Sequence, residues 1–172
     1  MRSNGSVCLI SVDGVDFWIQ EPRPFSSRWF SHKINGPAVR YEIGVCIQTG
    51  WIVWINGPFP CGDWPDLAIA RHALHHMLGT GEYHVADGGC RASTNCRAIT
   101  PTGLHDYLDR QVAVVRARHE TVNARLKVFG ILNQRFRHNL EKHGLVMHSA
   151  AVIVQIMISN GDTEVFSVEH HG

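Results

Sequence analysis

The sequence predicts an α/β domain: a mixed sheet flanked by helices. Three observations carry that expectation. Val39 to Gln48 and Trp51 to Asn56 are β-branched and aromatic runs separated by Thr49-Gly50, the mark of a tight hairpin. Helical spacing then takes over, with Leu67, Ala70, Ala73, Leu74 and Met77 on one stripe. A further strand, Glu82 to Ala86, follows that helix before helical periodicity returns. Hairpin strands followed by a helical crossover to another strand suit a mixed sheet covered by helices.

Taken in order, residues 6–12 read as a buried strand, and Val15 to Gln20 as a second extended piece after Gly14. Glu21-Pro-Arg-Pro-Phe-Ser-Ser is a loop, because two prolines in three residues exclude regular structure. Asn56-Gly-Pro-Phe-Pro-Cys-Gly breaks the strand pattern. Asp63-Trp-Pro-Asp66 then has the acid and early proline of a helix start, and Gly79-Thr-Gly81 ends that helix. Residues 88–107 read as a long loop. From Asp109 a helix carries Val112, Val115, Val122, Leu126 and Phe129, with His119 filling a gap in the stripe and Gly130 ending it. The last helix runs from about Gly144 to Ile158, with Val146, Ala150, Ile153, Val154 and Met157 inward.

At 172 residues the chain suits one domain spanning 1–172, with its core over about 6–160. Hydrophobic residues at 44% and charged residues at 18% exclude a disordered chain. No apolar run approaches the roughly 20 residues that span a bilayer; the best candidate, Ala150 to Ile158, is short and contains Gln155. The N-terminus lacks the apolar middle of a signal peptide, so an intracellular protein is expected. Five scattered cysteines argue against a disulfide framework. Cys8 and Cys46 fall in strands as small core residues, and Cys90 and Cys96 are candidate zinc ligands with nearby His.

The net charge of +1 conceals an asymmetry. Residues 110–143 hold eight basic residues against two acids, a net of +6, while the segments on either side are net negative. A basic block beside an acidic site suits a polyanion whose backbone must approach metal ions.

The acidic site is the chief functional expectation. Asp13 closes the run Val7 to Val12, and Asp87 closes Tyr83 to Ala86 before Gly88-Gly89. Glu120 lies in the helix that begins near Asp109, where Arg116, Glu120, Asn123 and Lys127 follow at i, i+4, i+7 and i+11, one face. Singly, each Asp is a turn former and Glu120 an ion-pair partner of Arg116. Together they make an oxygen-rich site for hard divalent cations, since converging carboxylates repel unless cations neutralise them. Asp16 is a rival for Asp13; the end of the apolar run favours Asp13.

Four stretches bring a family into view: Ser11-Val-Asp-Gly-Val-Asp-Phe-Trp-Ile-Gln-Glu-Pro, Val85-Ala-Asp-Gly-Gly, Thr100-Pro-Thr-Gly, and Val115-Arg-Ala-Arg-His-Glu-Thr-Val-Asn-Ala-Arg-Leu-Lys-Val-Phe-Gly. In these the chain resembles the catalytic domain of DDE superfamily transposases of the Harbinger (PIF-like) group. The most specific piece is Arg116-x3-Glu120-x6-Lys127, and the 32 residues between Asp87 and Glu120 suit the family's spacing. The resemblance implies a ribonuclease H-like fold and a nuclear DNA endonuclease that cuts and transfers strands at transposon ends. It implies Asp13, Asp87 and Glu120 as catalytic ligands of two Mg2+ or Mn2+ ions, with Asp66, Arg116 and Lys127 in support. Arg116, Lys127, Arg135 and Arg137 become candidates for the DNA backbone. Cys90 stands where the family has an aromatic residue. Because the first acid comes at residue 13, no upstream DNA-binding domain is expected within the chain, and a separate DNA-binding protein or an oligomer is an implied partner. The alternative is an inactive or domesticated relative that binds DNA or protein without cutting.

Overall fold

The computed structural model describes residues 2–3, 6–86, 97–101, 103 and 107–161, with the backbone alone at 2, 3, 6 and 7. Its strands are β1 (Arg2–Ser3), β2 (Ser6–Trp18), β3 (Phe30–Ser31), β4 (Gly36–Cys46), β5 (Ile52–Pro60), β6 (Glu82–Val85) and β7 (Ala98–Ile99). Its helices are α1 (Asp66–Ile69), continued by a π-helical turn at Ala70–Leu74 into α2 (His75–Met77), then α3 (Tyr107–Val128), α4 (Gly130–Asn133) and α5 (Leu140–Ser159).

The strands form a mixed sheet, as the sequence predicts. β2, β4 and β5 make an antiparallel meander in which Asp13 faces Ile43 and Val45 faces Ile52. The helical stretch 66–77 crosses to β6, which lies parallel to β2 on the side away from β4, and β7 lies parallel to β6. β1 folds back on the start of β2, and β3 pairs with the start of β4.

One face of the sheet carries the main core. Val15 and Phe17 of β2, Ile19 just beyond it, and Val39, Tyr41, Ile43 and Val45 of β4 pack against Val122 and Leu126 of α3 and Met147, Ala150 and Val154 of α5. Ile10 and Val12 contact Ala70 and Leu74 instead, on the face covered by α1. A smaller cluster joins Cys8 and Val85 to Val112 and Val115.

Several local expectations change. Gly14 does not divide the first strand: β2 is continuous through it, and Asp13 therefore lies within a strand and not at its end. β5 continues through Asn56-Gly57-Pro58-Phe59-Pro60, where a break was expected. Prolines are tolerated there because β5 is an outer strand whose partner is β4. The π turn inserted after Ile69 rotates the following helix, so Ile69, Ala70 and Leu74 are buried while Met77 is 71% exposed. Pro65, with no side-chain cap, precedes α1, so Asp63 is not its cap. The stretch 97–99, read as loop, supplies β7, which is too short for periodicity to reveal.

The last helix starts earlier than predicted, at Leu140. The Asn139 side chain accepts a 2.9 Å hydrogen bond from the Lys142 amide and caps it. Its buried stripe is His143, Met147, Ala150, Ala151 and Val154, so Ile153 turns outward. Residues 145–158 are apolar nearly all round, and such a run carries no clear phase.

Candidate functional site

The parallel register of β6 on β2 determines where a site can form. Val85 pairs with Ser11 in the last β2–β6 register pair. At the far end of the same edge, Phe136 takes over: its amide donates to the Trp18 carbonyl at 3.0 Å and its carbonyl accepts from Gln20 at 2.8 Å. Between Ser11 and Trp18, that edge of β2 has no strand partner among the described residues. Asp13 lies in this notch, half-buried, and lines clefts that open on both faces of the sheet.

On the α3 side the cleft is lined by Ser11, Asp13, Ala86, Arg116, His119 and Glu120, with Val12 and Val85 behind. Two of the three predicted acids, Asp13 and Glu120, thus share one cleft with Arg116. The third, Asp87, lies outside the described residues, as do Cys90 and Cys96. Ala86, the last described residue before Asp87, lines the clefts on both faces. Glu120 is exposed and makes no ion pair with Arg116 among the described residues.

The helix face predicted from spacing is split by depth. Arg116, Glu120 and Lys127 are exposed, whereas Asn123 is buried and donates from Nδ2 to Asp13 Oδ2 at 3.3 Å. His119, the gap in the apolar stripe, is also buried, with its Nδ1 2.8 Å from the Ser11 hydroxyl. Burial lowers its pKa to about 4, so the ring is neutral at pH 7. Asn123 and His119 orient the floor beside the acids.

On the α1 side the cavity is lined by Asp13, Gly14, Arg40, Glu42, Asp66 and His84, with apolar walls. Gly14 permits this: a Cβ there would collide with the Asp66 carboxylate. Asp66, in the first turn of α1, pairs with Arg40 Nη1 at 3.1 Å and Lys33 Nζ at 3.3 Å. The Lys33 ammonium also donates to the Gly14 carbonyl at 2.8 Å and stands 3.9 Å from Asp13 Oδ1. Burial of Glu42 pushes its carboxyl up to about 7, although Trp54 Nε1 donates to its Oε2 at 2.7 Å. Burial holds His84 neutral, with a pKa of about 4.

Asp16, the rival acid, is occupied elsewhere. Arg40 Nε reaches its Oδ1 at 2.6 Å and Arg40 Nη2 its Oδ2 at 2.8 Å, a bidentate pair, and Ser31 donates to the same carboxylate. Burial opposes the charge, but the Arg40 and Ser31 hydrogen bonds prevail and hold this carboxyl below its ordinary range. Asp16 is thus a buried structural anion, while Asp13 keeps access to open space.

The predicted basic residues divide into two groups. Arg116 lines the acid cleft, and Lys127 is exposed about three turns further along α3. Arg135 and Arg137 join Arg23, Gln20 and Glu21 around a surface cleft beyond the far end of β2, where the Arg135 guanidinium lies 5.7 Å over the Trp18 ring.

Lys33, Arg40, Glu42 and His84 escaped sequence reasoning, because charged residues within or beside strands carry no periodic signal of their own. His119 left a trace as the gap in the α3 stripe. No family model, curated protein or solved structure matches the chain. Among the described residues no group of three His, Cys, Asp or Glu is arranged to hold a metal, and no helix is long and apolar enough to cross a membrane.

Proposed function

We propose that the chain is a ribonuclease H-like, metal-dependent DNA endonuclease domain of the DDE transposase type, acting on DNA in the nucleus. The observation that carries this reading is the shared cleft of Asp13, Glu120 and Arg116 at the end of β6, bordered by Ala86, the residue before Asp87. The order of elements also supports it: an antiparallel meander, a helical crossover, then parallel strands beside the first strand, with the third acid on a covering helix.

The donor set suits Mg2+ or Mn2+, because carboxylate oxygens are the ligands that hard cations prefer. Asp13, Asp87 and Glu120 would hold the ions. Two such ions supply an activated hydroxyl nucleophile and stabilise the leaving oxygen in phosphodiester cleavage. The protein's own contribution is orientation. Asn123 donates to Asp13 Oδ2 and the Gly14 amide donates to its Oδ1 at 2.9 Å, and together they orient this carboxylate at the notch. Arg116 supplies positive charge where a phosphate enters, and neutral His119 adds no competing cation.

A plasmid-nicking assay with Mg2+ or Mn2+, on DNA with and without transposon terminal repeats, tests the reading. Asp13→Asn, Asp87→Ala and Glu120→Gln should each abolish nicking. Cleavage that survives all three substitutions overturns the assignment. If wild type binds DNA but never cuts under any of these conditions, the chain is the inactive, DNA-binding relative.

A further inference from the structure

The Lys33 ammonium stands among three oxygens from separate groups: the Gly14 carbonyl at 2.8 Å, Asp66 Oδ2 at 3.3 Å and Asp13 Oδ1 at 3.9 Å. Such a set is what a hard cation seeks. We infer that Asp13, the Gly14 carbonyl and Asp66 form a cation site on the α1 side of β2, which the chain fills with Lys33 and which a divalent ion enters when Lys33 withdraws.

Three further features favour a cation there. The cavity beside it is lined by three carboxyl groups, Asp13, Glu42 and Asp66. Glu42 is 3% exposed and lines this space; Trp54 donates to its Oε2, while its Oε1, on the side of neighbouring Asn56, has no hydrogen bond of normal geometry among the described residues. Arg40 directs two of its nitrogens at Asp16 and one at Asp66, so its charge is shared with an acid outside the cavity lining. Arg40 thus neutralises Asp66 from one side, while Lys33 is the cation that reaches both Asp66 and Asp13.

Lys33 is also able to leave. Its side chain is 43% exposed and reaches the site from residues that follow β3. A compact ammonium on a flexible stem is a replaceable ligand, unlike the forked guanidinium of Arg40. Because Asp13 lines the clefts on both faces, an ion on the α1 side shares an acid with the proposed catalytic cleft. Lys33 would thus control how much of Asp13 is available to metal.

Binding of Mn2+ alone, followed by electron paramagnetic resonance of the free ion, tests this without any DNA. Lys33→Met should tighten Mn2+ binding about tenfold, since a competing cation is removed. Lys33→Gln, which keeps a donor for the Gly14 carbonyl, should act in the same direction. The gain should persist in Glu120→Gln and vanish in Asp66→Asn. Unchanged or weaker Mn2+ binding in both Lys33 variants overturns the inference. So does a gain that survives Asp66→Asn but is lost in Glu120→Gln, because that ion would belong to the catalytic cleft. Failure of the endonuclease reading would appear separately, as absent nicking with the Lys33 effect intact.

Discussion

A Cβ added to Gly14 would lie 2.0 Å from Asp66 Oδ1. The missing side chain of one residue is the seat of the other's carboxylate. Gly14 is thus a clearance in a continuous strand and not a turn. Gly14→Ala must push Asp66 away from Arg40 and Lys33, and overpacking of this kind costs about 1–3 kcal/mol. Urea unfolding should show that loss. In an Asp66→Ala background the same Gly14 change should cost little, below about 0.5 kcal/mol, because the clash is gone. Equal costs in the two backgrounds would disprove the coupling.

The two neighbouring aspartates of β2 should separate cleanly by experiment. Asp16 and Arg40 form a buried bidentate pair, with side chains 1% and 9% exposed. Removing one charge leaves the other buried without its partner, so Asp16→Asn should destabilise the fold by about 3–5 kcal/mol. Asp13→Asn removes a half-buried carboxylate that faces a cleft and accepts hydrogen bonds from the Gly14 amide at 2.9 Å and from Asn123 at 3.3 Å, either of which an amide oxygen can still accept. It should change the urea midpoint little while eliminating nicking. Comparable stability losses in both variants would refute this division of roles.

Acid sensitivity should come from buried histidine. His143 is fully buried between the sheet and α5, its ring stacked on Tyr41 with centroids 5.5 Å apart and its Nδ1 2.9 Å from the Tyr41 hydroxyl. Burial lowers its pKa from 6.5 to about 4. The unfolded chain therefore takes up a proton first as pH falls, and stability drops from about pH 6.5 until the folded pKa is reached. Linkage over that window makes His143 worth about 2 kcal/mol of lost stability at pH 5 relative to pH 7. Thermal unfolding at both pH values should show His143→Gln with a smaller drop than wild type. An identical pH dependence in the two proteins would exclude this source.

Much of this architecture was legible in sequence, for definable reasons. The hairpin of β4 and β5, the crossover helix, β6 and the buried stripe of α3 all rest on strong local signals: turn chemistry and apolar spacing. The phase of α5 was not legible, since its apolar residues surround the helix and only the docking of His143 and Met147 chooses a face. Gly14 misled because a glycine after an aspartate signals a turn, while its reason here is a carboxylate from α1, 52 positions away in the chain. The sharing of one cleft by Asp13 and Glu120 follows from the notch left where the β2–β6 pairing ends at Ser11, a property of register. Lys33, Arg40 and Glu42 have their roles through partners distant in sequence, which spacing cannot disclose.

The basic residues offer the final separation, between holding DNA and cutting it. Arg135 and Arg137 cluster with Arg23 beyond the far end of β2, whereas Arg116 lines the acid cleft itself. If the first group contacts backbone phosphates, Arg135→Ala and Arg137→Ala should weaken duplex binding irrespective of sequence. Each lost phosphate contact should reduce the slope of log affinity against log salt by about 0.9. Their nicking defect should disappear at saturating DNA, because the chemistry is untouched. Arg116→Ala should behave oppositely, with slow nicking that persists at saturating DNA, since a charge beside the reacting phosphate acts on the transition state as well as on binding. A nicking defect in Arg116→Ala that excess DNA fully restores would move Arg116 from the cleavage site to the binding surface.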